Sequence, residues 1–332
     1  MRFVLDTEQR DFAASLDALL SVAGVPTVVR ARAAGDDAPL RALWRRLGDA
    51  GVFALAVPEE FGGTGLLPVE LVLCCVELGR HGMPGPLAET FAASTLLAGT
   101  EHAGLLPGVA SGQVILSLAA NGGYAADPDL ADAVLRIGEG KAPLRQSLDP
   151  ARRVGLPDDA IGISAGPGSA RATDLAALGT AALALGAGRH LLAATVEYAR
   201  TRTQFGTPIG GFQAVKHRLA DVLLQLDFAE PLLYGAAVAL QDAAADGAAD
   251  GAVAIAAAKA ACGEAGYAAA RAALQLHGAI GYTDEFDLSL WIRRARVLRN
   301  AWGTPSACRR KVLDGRAGLD SRQGPRPDRL VR

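Results

Sequence analysis

The sequence predicts a mainly α-helical protein made of an N-terminal helical domain, a reduced middle β segment and a C-terminal antiparallel four-helix bundle. Apolar residues recur at helical spacing on both sides of a short stretch rich in glycine and proline. The second helical part contains segments well above the mean helix length of about 11–12 residues. Short connections between such long segments favour antiparallel neighbours. The predicted limits are 1–112, 113–168 and 169–314, with a disordered tail over 315–332.

Composition and charge exclude several classes of protein. Half of the 332 residues are hydrophobic, and the formal net charge is −2. No basic field is therefore available to hold a nucleic acid. The four cysteines have neither metal-ligand nor disulfide spacing, which fits a reducing cytosol, and they are predicted to be buried. Because the N-terminus also has no apolar signal region, a cytoplasmic location is expected. Alanine accounts for the mean hydropathy of +0.21, and the apolar run 180–187 is too short to span a bilayer, so no membrane association is expected.

The N-terminal part is predicted to contain four helices, over about 8–20, 40–50, 68–80 and 87–97. These predictions are based on apolar residues at helical spacing, such as Leu43, Trp44 and Leu47. The segment 58–63 contains a proline and two glycines and is predicted to be a turn.

The middle segment differs from the helical parts in composition and pattern. Short apolar runs at 114–118 and 134–137 have the length of strands, and glycine, proline and aspartate surround them. The segment is too short for a full-sized sandwich or barrel, so a small β unit with irregular loops is expected.

The C-terminal part returns to helix. The segment 174–200 lacks proline, and 252–276 is dominated by alanine, which lets helices approach closely. A core-facing stripe is predicted from Phe212, Val215, Leu219, Val222 and Leu226, which recur at steps of three and four.

Standard nucleotide and metal motifs are not found in the sequence. Gly186-Ala187-Gly188 has no strand before it, so close helix packing explains it better than a phosphate loop. None of the five histidines stands near a cysteine or carboxylate at metal-ligand spacing, and no metal site is predicted.

The first informative motif is the arginine corner, residues 202–209. A helix carrying Arg200 and Arg202 is predicted to end at 206–208, and the next helix to begin near Gly211. Arginine offers a forked donor for a pyrophosphate, and Phe205 offers an apolar face for a ring. The alternative is an ordinary corner between two helices with a salt-bridged arginine.

The second motif is the glycine turn, residues 275–283. Its glycines end a helix and expose backbone amides to a ligand, while Gln275 can both donate and accept hydrogen bonds. The alternative is a glycine cap before the last helix.

These two motifs, together with the turn at 56–65, resemble signature segments of the acyl-CoA dehydrogenases, in the same order along the chain. The resemblance covers nearly all of 1–112 and 169–313. It implies helical N-terminal, β middle and four-helix C-terminal domains. It also implies FAD, and oxidation of an acyl-CoA thioester across Cα–Cβ, in which a carboxylate takes the α proton and the flavin takes the β hydride.

By the same resemblance, eleven residues are expected to contact FAD, largely a flavin held mainly by a neighbouring subunit. They are Arg202, Thr203, Gln204, Phe205, Phe212, Gln213, Gln275, Leu276, His277, Gly278 and Ala279.

The chain departs from the family pattern in two respects. Its middle segment is about half the usual size, and 118–123 stands where the family has the loop that cradles the flavin ring. The common base position, before the pair Gly303-Thr304, holds Trp302, and the other known position falls near Ala176. Asp174 and Glu197 are the nearest carboxylates; Asp174 is better explained as a helix N-cap and Glu197 as a surface or flavin-edge residue. The catalytic residues are therefore left unassigned.

Short, base-less members of the family form one half of actinobacterial α2β2 dehydrogenases that act on steroid side-chain CoA thioesters, and this chain resembles them. The expected partners are a longer homologous subunit, an acyl-CoA substrate and an electron-transfer flavoprotein or similar acceptor. The alternatives are a flavin-free structural partner and a family member repurposed for another reaction.

Overall fold

The computed structural model describes residues 5–120, 122–246 and 250–322. It is mostly helical, with few strands in the middle, which confirms the predicted fold class. The N-terminal helices are α1 (Thr7–Ser21), α2 (Val25–Ala33), α3 (Ala38–Asp49), α4 (Pro68–Arg80), α5 (Leu87–Leu97) and α6 (Leu106–Ala110).

Four of these six helices match the predicted segments to within about two residues. Helix α2 was not predicted, because it is short and contains proline and three valines, which give little helical signal. The turn at 58–63 is present and depends on its glycines. Gly62 has a φ of 84°, and a Cβ on Gly63 would lie 1.9 Å from the carbonyl oxygen of Val57.

The middle segment forms two small three-stranded sheets. The strands are β1 (Leu116–Ala120), β2 (Ala125–Ala126), β3 (Ala133–Ile137), β4 (Ala142–Gln146), β5 (Arg153–Leu156) and β6 (Ile161–Ile163). One sheet is parallel, in the order β1-β3-β6, with Leu135 opposite both Leu118 and Ile161; the other is antiparallel, in the order β2-β5-β4. The predicted strand at 114–118 begins later, at Leu116, while the one at 134–137 agrees with β3.

The C-terminal part is a bundle of long helices. They are α7 (Pro167–Thr201), α8 (Gln213–Asp246), α9 (Asp250–His277), α10 (Leu288–Asn300) and α11 (Pro305–Arg322). Helix α8 runs antiparallel to α7. Arg189 donates a hydrogen bond to Glu230 (2.7 Å), whereas Arg171, earlier on α7, donates to the carbonyl of Leu240, later on α8 (3.4 Å). Helix α11 continues to Arg322, inside the segment predicted as a disordered tail, because nothing between 306 and 322 is a proline. Residues 323–332 lie outside the described residues.

Glycines allow the bundle to pack closely on the N-terminal helices. A Cβ on Gly186 would lie 1.9 Å from the carbonyl oxygen of Val76, and one on Gly79 would lie 2.2 Å from that of Leu183. A Cβ on Gly188 would lie 2.9 Å from Cα of Gly266 inside the bundle. These approaches confirm the interpretation of Gly186 and Gly188 as packing glycines. The four cysteines are free and buried, as predicted.

The stripe predicted on α8 is only half in the core. Val222 and Leu226 are buried, and Val215 and Leu219 are half-buried. Phe212 is exposed and precedes the first residue of α8, so the prediction was wrong for this residue. A second apolar face on α8 points outward. It comprises Leu223, Leu224, Phe228 and Leu232, of which Phe228 is 75% exposed. We call these four residues the α8 outer face.

Among the described residues, two helices are long and apolar enough to cross a membrane by length and composition alone. The sequence prediction considered only the apolar run 180–187 and did not anticipate them. In α7 the most apolar window is 83% buried inside the protein, because that helix lies at the centre of the bundle; in α8 the corresponding window is only 33% buried.

A buried group of ion pairs connects the N-terminal helices to the middle segment. Arg32 of α2 is 1% exposed and contacts Asp37, Asp127 and Asp129. Burial raises the pKa of Asp127 to about 6, although Arg152, a backbone N–H and Arg32 oppose the rise. Because removing one member of such a group strands a buried charge, these contacts fix how the β unit sits on the helices.

Candidate functional site

The arginine corner is a tight hairpin and not the end of a continuous helix. Helix α7 ends at Thr201, and strands β7 (Thr203–Gln204) and β8 (Thr207–Pro208) pair antiparallel. The predicted helix end at 206–208 was therefore several residues too late. The hairpin reverses at Phe205 and Gly206, which have φ values of 54° and 78°, and a φ above zero at a phenylalanine is uncommon.

The hairpin presents its side chains to solvent. Phe205 is 93% exposed, and its ring meets the ring of Phe212 edge-on at 6.3 Å. Arg202, Thr203, Gln204 and Gln213 are also exposed. Arg200 pairs with Glu197 (3.5 Å), whereas Arg202 forms no ion pair among the described residues. The ordinary corner therefore has its salt-bridged arginine in Arg200, and the assignment of Arg202 to a cofactor stays a prediction.

The glycine turn lies beside the start of α8. Gly278 ends α9 with a φ of 64°, and no atom lies within 4 Å of where its Cβ would be. The turn borders a groove of about 820 Å³ between α8 and α9, which we call the bundle-end groove. Its lining includes four of the predicted residues, Gln275, Leu276, Gly278 and Ala279, together with Ala214, Val215, Arg218, Arg271, Leu274 and Tyr282.

His277 lies on the inner side of the turn. It is 5% exposed, its Nδ1 is 2.8 Å from the carbonyl oxygen of Ala273, and its ring stacks on Tyr198 with centroids 4.0 Å apart. Burial lowers the pKa of His277, which favours the neutral ring. The stack ties the end of α7 to the end of α9. The hairpin and the glycine turn are thus held at the same end of the bundle, although the residues of the hairpin do not line the groove.

Two arginines of the groove were missed by sequence reasoning. Arg218 and Arg271 come from different helices and line the same groove; within the described parts of the chain neither forms an ion pair. A usable signal was present, because Arg271 precedes Gln275 by one helical turn and so shares its face.

The groove suits one part of FAD by the chemistry of its donors. Two guanidinium groups, the carboxamide of Gln275 and the open backbone at Gly278 can receive the phosphate and ribose groups of a dinucleotide. The sequence shows no motif that matches the family's ring-binding loop. That this chain lacks a site for the flavin ring stays a prediction.

The two positions at which the resemblance places a catalytic base hold residues that cannot take a proton. Trp302 adopts a φ of 54°, and its indole Nε1 donates to Glu89 Oε1 at 2.9 Å. Ala176 is fully buried in α7. Asp174 also lies inside α7, which begins at Pro167, so it is not the N-cap that the sequence predicted; its carboxylate pairs with Lys311 at 2.7 Å. Glu89, a buried carboxylate beside Trp302, was not anticipated.

A possible metal group occurs elsewhere. Ligand atoms of Asp17, Glu77 and His81 lie within 4.8 Å of one another. The sequence prediction overlooked this group, although Glu77 and His81 are four residues apart, which is one helical turn. Arg80 contacts both carboxylates, and the hydrogen bond from His81 is the main cause that lowers the pKa of Asp17. The guanidinium therefore supplies the positive charge that this group needs.

Family models match most of the chain. The N-terminal domain model of acyl-CoA dehydrogenases matches residues 6–113, and the C-terminal domain model matches residues 170–315. The acyl-CoA dehydrogenase IpdE2 of Mycobacterium tuberculosis is 34% identical over 283 residues, covering 81% of this chain and 85% of the relative. FadE34 of the same organism is 32% identical over 315 residues, covering 86% of this chain and 43% of the relative.

Solved structures agree. A chain of the Tcur3481-Tcur3483 steroid ACAD superposes with a TM-score of 0.81 at 26% identity, covering 94% of this chain and 99% of that one. A chain of the ChsE4-ChsE5 complex from Mycobacterium tuberculosis gives a TM-score of 0.77 at 23% identity, covering 98% and 100%, and supports the fold.

Proposed function

The chain belongs to the acyl-CoA dehydrogenases, a family of FAD-dependent oxidoreductases that act on acyl-CoA, and from this premise we propose that it is the half-site subunit of a heteromeric dehydrogenase. Its bundle end completes the binding site of an FAD whose ring lies in a longer homologous subunit. Bound FAD supplies the hydride acceptor. The substrate is a steroid-like acyl-CoA, as the name of one similar protein, the Tcur3481-Tcur3483 steroid ACAD, suggests for that protein.

The observation that carries the proposal is the bundle-end groove. Arg218, Arg271 and Gln275 converge there from two helices, and Gly278 leaves the backbone open. In this role the two guanidiniums hold the negative charge of the pyrophosphate. Arg202 and Phe205, exposed on the adjacent hairpin, reach across the interface to the same cofactor.

The α8 outer face supports a partner of the same fold. Leu224 and Phe228 are one helical turn apart on a helix that already buries its opposite side. Monomeric proteins rarely expose a continuous apolar patch of this kind. A homologous subunit offers a matching bundle helix, so the patch and the cofactor groove are covered together.

The partner also supplies the base in this proposal, because Trp302 and Ala176 stand at the two known positions in this chain. An electron-transfer flavoprotein or a similar acceptor reoxidises the cofactor, and the assembly works in the cytoplasm.

The test is Arg202→Ala and Arg271→Ala, each in the complex with the longer subunit. Loss of a charge-assisted donor is expected to weaken FAD binding by about 1.5–3 kcal/mol, roughly 10- to 150-fold. Fluorescence titration of flavin-stripped complex measures this without turnover. Arg145→Ala, an exposed arginine on β4, is the matched control. Unchanged FAD affinity in both variants would favour the flavin-free structural partner.

A further inference from the structure

One residue that the sequence assigned to FAD contact has a side chain that does not reach the groove. His277 stands between Leu276 and Gly278, which both line the bundle-end groove, yet His277 is not among the lining residues. Its side chain is 5% exposed. What the imidazole contributes must therefore come from its contacts with other parts of the protein.

The imidazole of His277 is the middle member of three rings. It stacks on the ring of Tyr198 with an angle of 23° between the two planes. The ring of Phe286, which lies between the glycine turn and α10, has its centroid 5.5 Å away and is tilted by 40°. Ring pairs of this kind attract one another beyond the effect of the area that they bury. We call Tyr198, His277 and Phe286 the ring stack.

Tyr198 also supports the base of the hairpin. Its carbonyl oxygen accepts the backbone N–H of Arg202 at 2.8 Å, and the carbonyl oxygen of Arg202 accepts the N–H of Ile209, also at 2.8 Å. Residues 202–206 are exposed, so side-chain packing does little to hold the tip of the hairpin. The position of the hairpin therefore depends on its base, and a shift of Tyr198 is carried to the hairpin.

The glycine turn is built directly on His277. Gly278 follows with a positive φ, and the chain folds back so closely that a Cβ on Gly281 would lie 3.2 Å from the Cβ of His277. The same turn presents Gly278 and Ala279 to the groove. The place of the imidazole therefore also sets the place of the turn.

The imidazole makes two kinds of contact, and only one of them joins the two helices. Its Nδ1 is 2.8 Å from the carbonyl oxygen of Ala273, four residues earlier on α9 itself. A carbonyl only accepts, so Nδ1 carries the hydrogen and donates. The stack on Tyr198 reaches α7 instead. The ring, and not the hydrogen bond, therefore connects the hairpin with the glycine turn.

We propose that His277 is a positioning residue, whose ring holds the hairpin and the glycine turn in the arrangement that receives one cofactor. That the cofactor is FAD rests on the proposed function, whereas the coupling of the hairpin to the turn does not. What this position requires is a flat ring, so phenylalanine can replace the histidine and an amide side chain cannot.

His277→Phe and His277→Asn separate the two contacts. Phenylalanine keeps a ring and loses the hydrogen bond, whereas asparagine keeps a side-chain donor near the place of Nδ1 and loses the ring. Hydrogen exchange of the full-length chain without FAD, followed by mass spectrometry over 199–210, measures the protection of the hairpin amides. His277→Asn is expected to speed this exchange about three- to tenfold, the factor that corresponds to the loss of one ring pair, and His277→Phe by less than about twofold.

Fluorescence titration of FAD into the flavin-stripped complex with the longer subunit is the second readout. His277→Asn is expected to weaken binding about three- to tenfold, because the ordering that the stack supplies beforehand must then occur on binding. His277→Phe is expected to keep the wild-type affinity. Urea unfolding of both variants shows whether affinity merely follows stability, as a purely structural role would predict. His102→Gln, a partly exposed histidine beside Glu101, is the control.

Hairpin exchange that is unchanged in His277→Asn, or raised equally in both variants, would overturn the proposal. A loss of FAD affinity in Arg271→Ala without one in His277→Asn would overturn it as well. If hairpin exchange responds as expected but neither variant changes FAD affinity, the coupling stands and the proposed function fails. Tyr198→Leu removes the same ring pair from α7 and replaces His277→Asn if that variant fails to fold.

Discussion

Replacing Lys259 by methionine tests how the turn at Trp302 is held. Lys259 is 1% exposed and donates to three carbonyls at the end of α10 and in the following turn. Hydrogen bonds to a charged group contribute about 1.5–3 kcal/mol each. Burial of the ammonium opposes this gain and lowers its pKa from 10.5 to about 8, a shift equivalent to about 3 kcal/mol. The net loss expected for Lys259→Met at pH 7 is therefore about 2–6 kcal/mol.

The effect of pH on this variant has a definite sign. Between pH 8 and 10.5 the lysine is deprotonated in the folded state but protonated in the unfolded state. The unfolded state then binds more protons, so the free energy of unfolding of the wild type rises with pH across this window, by about 3 kcal/mol in total. The methionine variant lacks this rise, and the difference between the two proteins should grow from pH 7.5 to 10.5.

Urea unfolding at pH 7.5, 9 and 10.5 measures both quantities. Lys141→Met is the control, because Lys141 forms an exposed pair with Asp158 and no other ion pair among the described residues. Such exposed pairs contribute about 0–1 kcal/mol. A difference between wild type and Lys259→Met that stays flat or shrinks as pH rises would refute the reasoning.

Three further substitutions test the packing and the outer surface. Gly186→Ala should lower the free energy of unfolding by about 1–3 kcal/mol, because its Cβ would lie 1.9 Å from the carbonyl oxygen of Val76; thermal unfolding measures this. Arg32→Met should cost about 3–5 kcal/mol, since Asp127 and Asp129 lose a buried partner; a loss below 1 kcal/mol in urea would contradict it. Phe228→Ser should change stability by under about 0.5 kcal/mol yet weaken assembly with the longer subunit, as seen by sedimentation.

Much of the architecture follows from local patterns. The spacing at 68–80 and 87–97 predicted α4 and α5, since core-facing helices carry their apolar period in the sequence. The predicted stripe was wrong at its first residue, because Phe212 continues the helical spacing of Val222 but precedes α8 and is exposed. Periodicity identifies an apolar face without saying whether this chain or another one covers it.

The details of the sites depend on long-range contacts. Glu89 and Trp302 are separated by 213 positions, and only the packing of α5 beside the α10–α11 turn brings them together. Arg218 and Arg271 likewise meet only because α8 and α9 are neighbours. The glycine turn itself was predictable, because a residue with positive φ after a helix, here Gly278, has a local signature.

The most direct test of the account compares the purified chain with its complex with the longer homologous subunit. FAD content, from visible absorption, and acyl-CoA oxidation with an artificial electron acceptor are measured on both. The chain alone is expected to be nearly colourless and inactive, because a missing general base by itself costs about 10²–10⁴ in rate, and the complex is expected to be yellow and active. A homo-oligomer of this chain that carries stoichiometric FAD and oxidises an acyl-CoA would contradict the account.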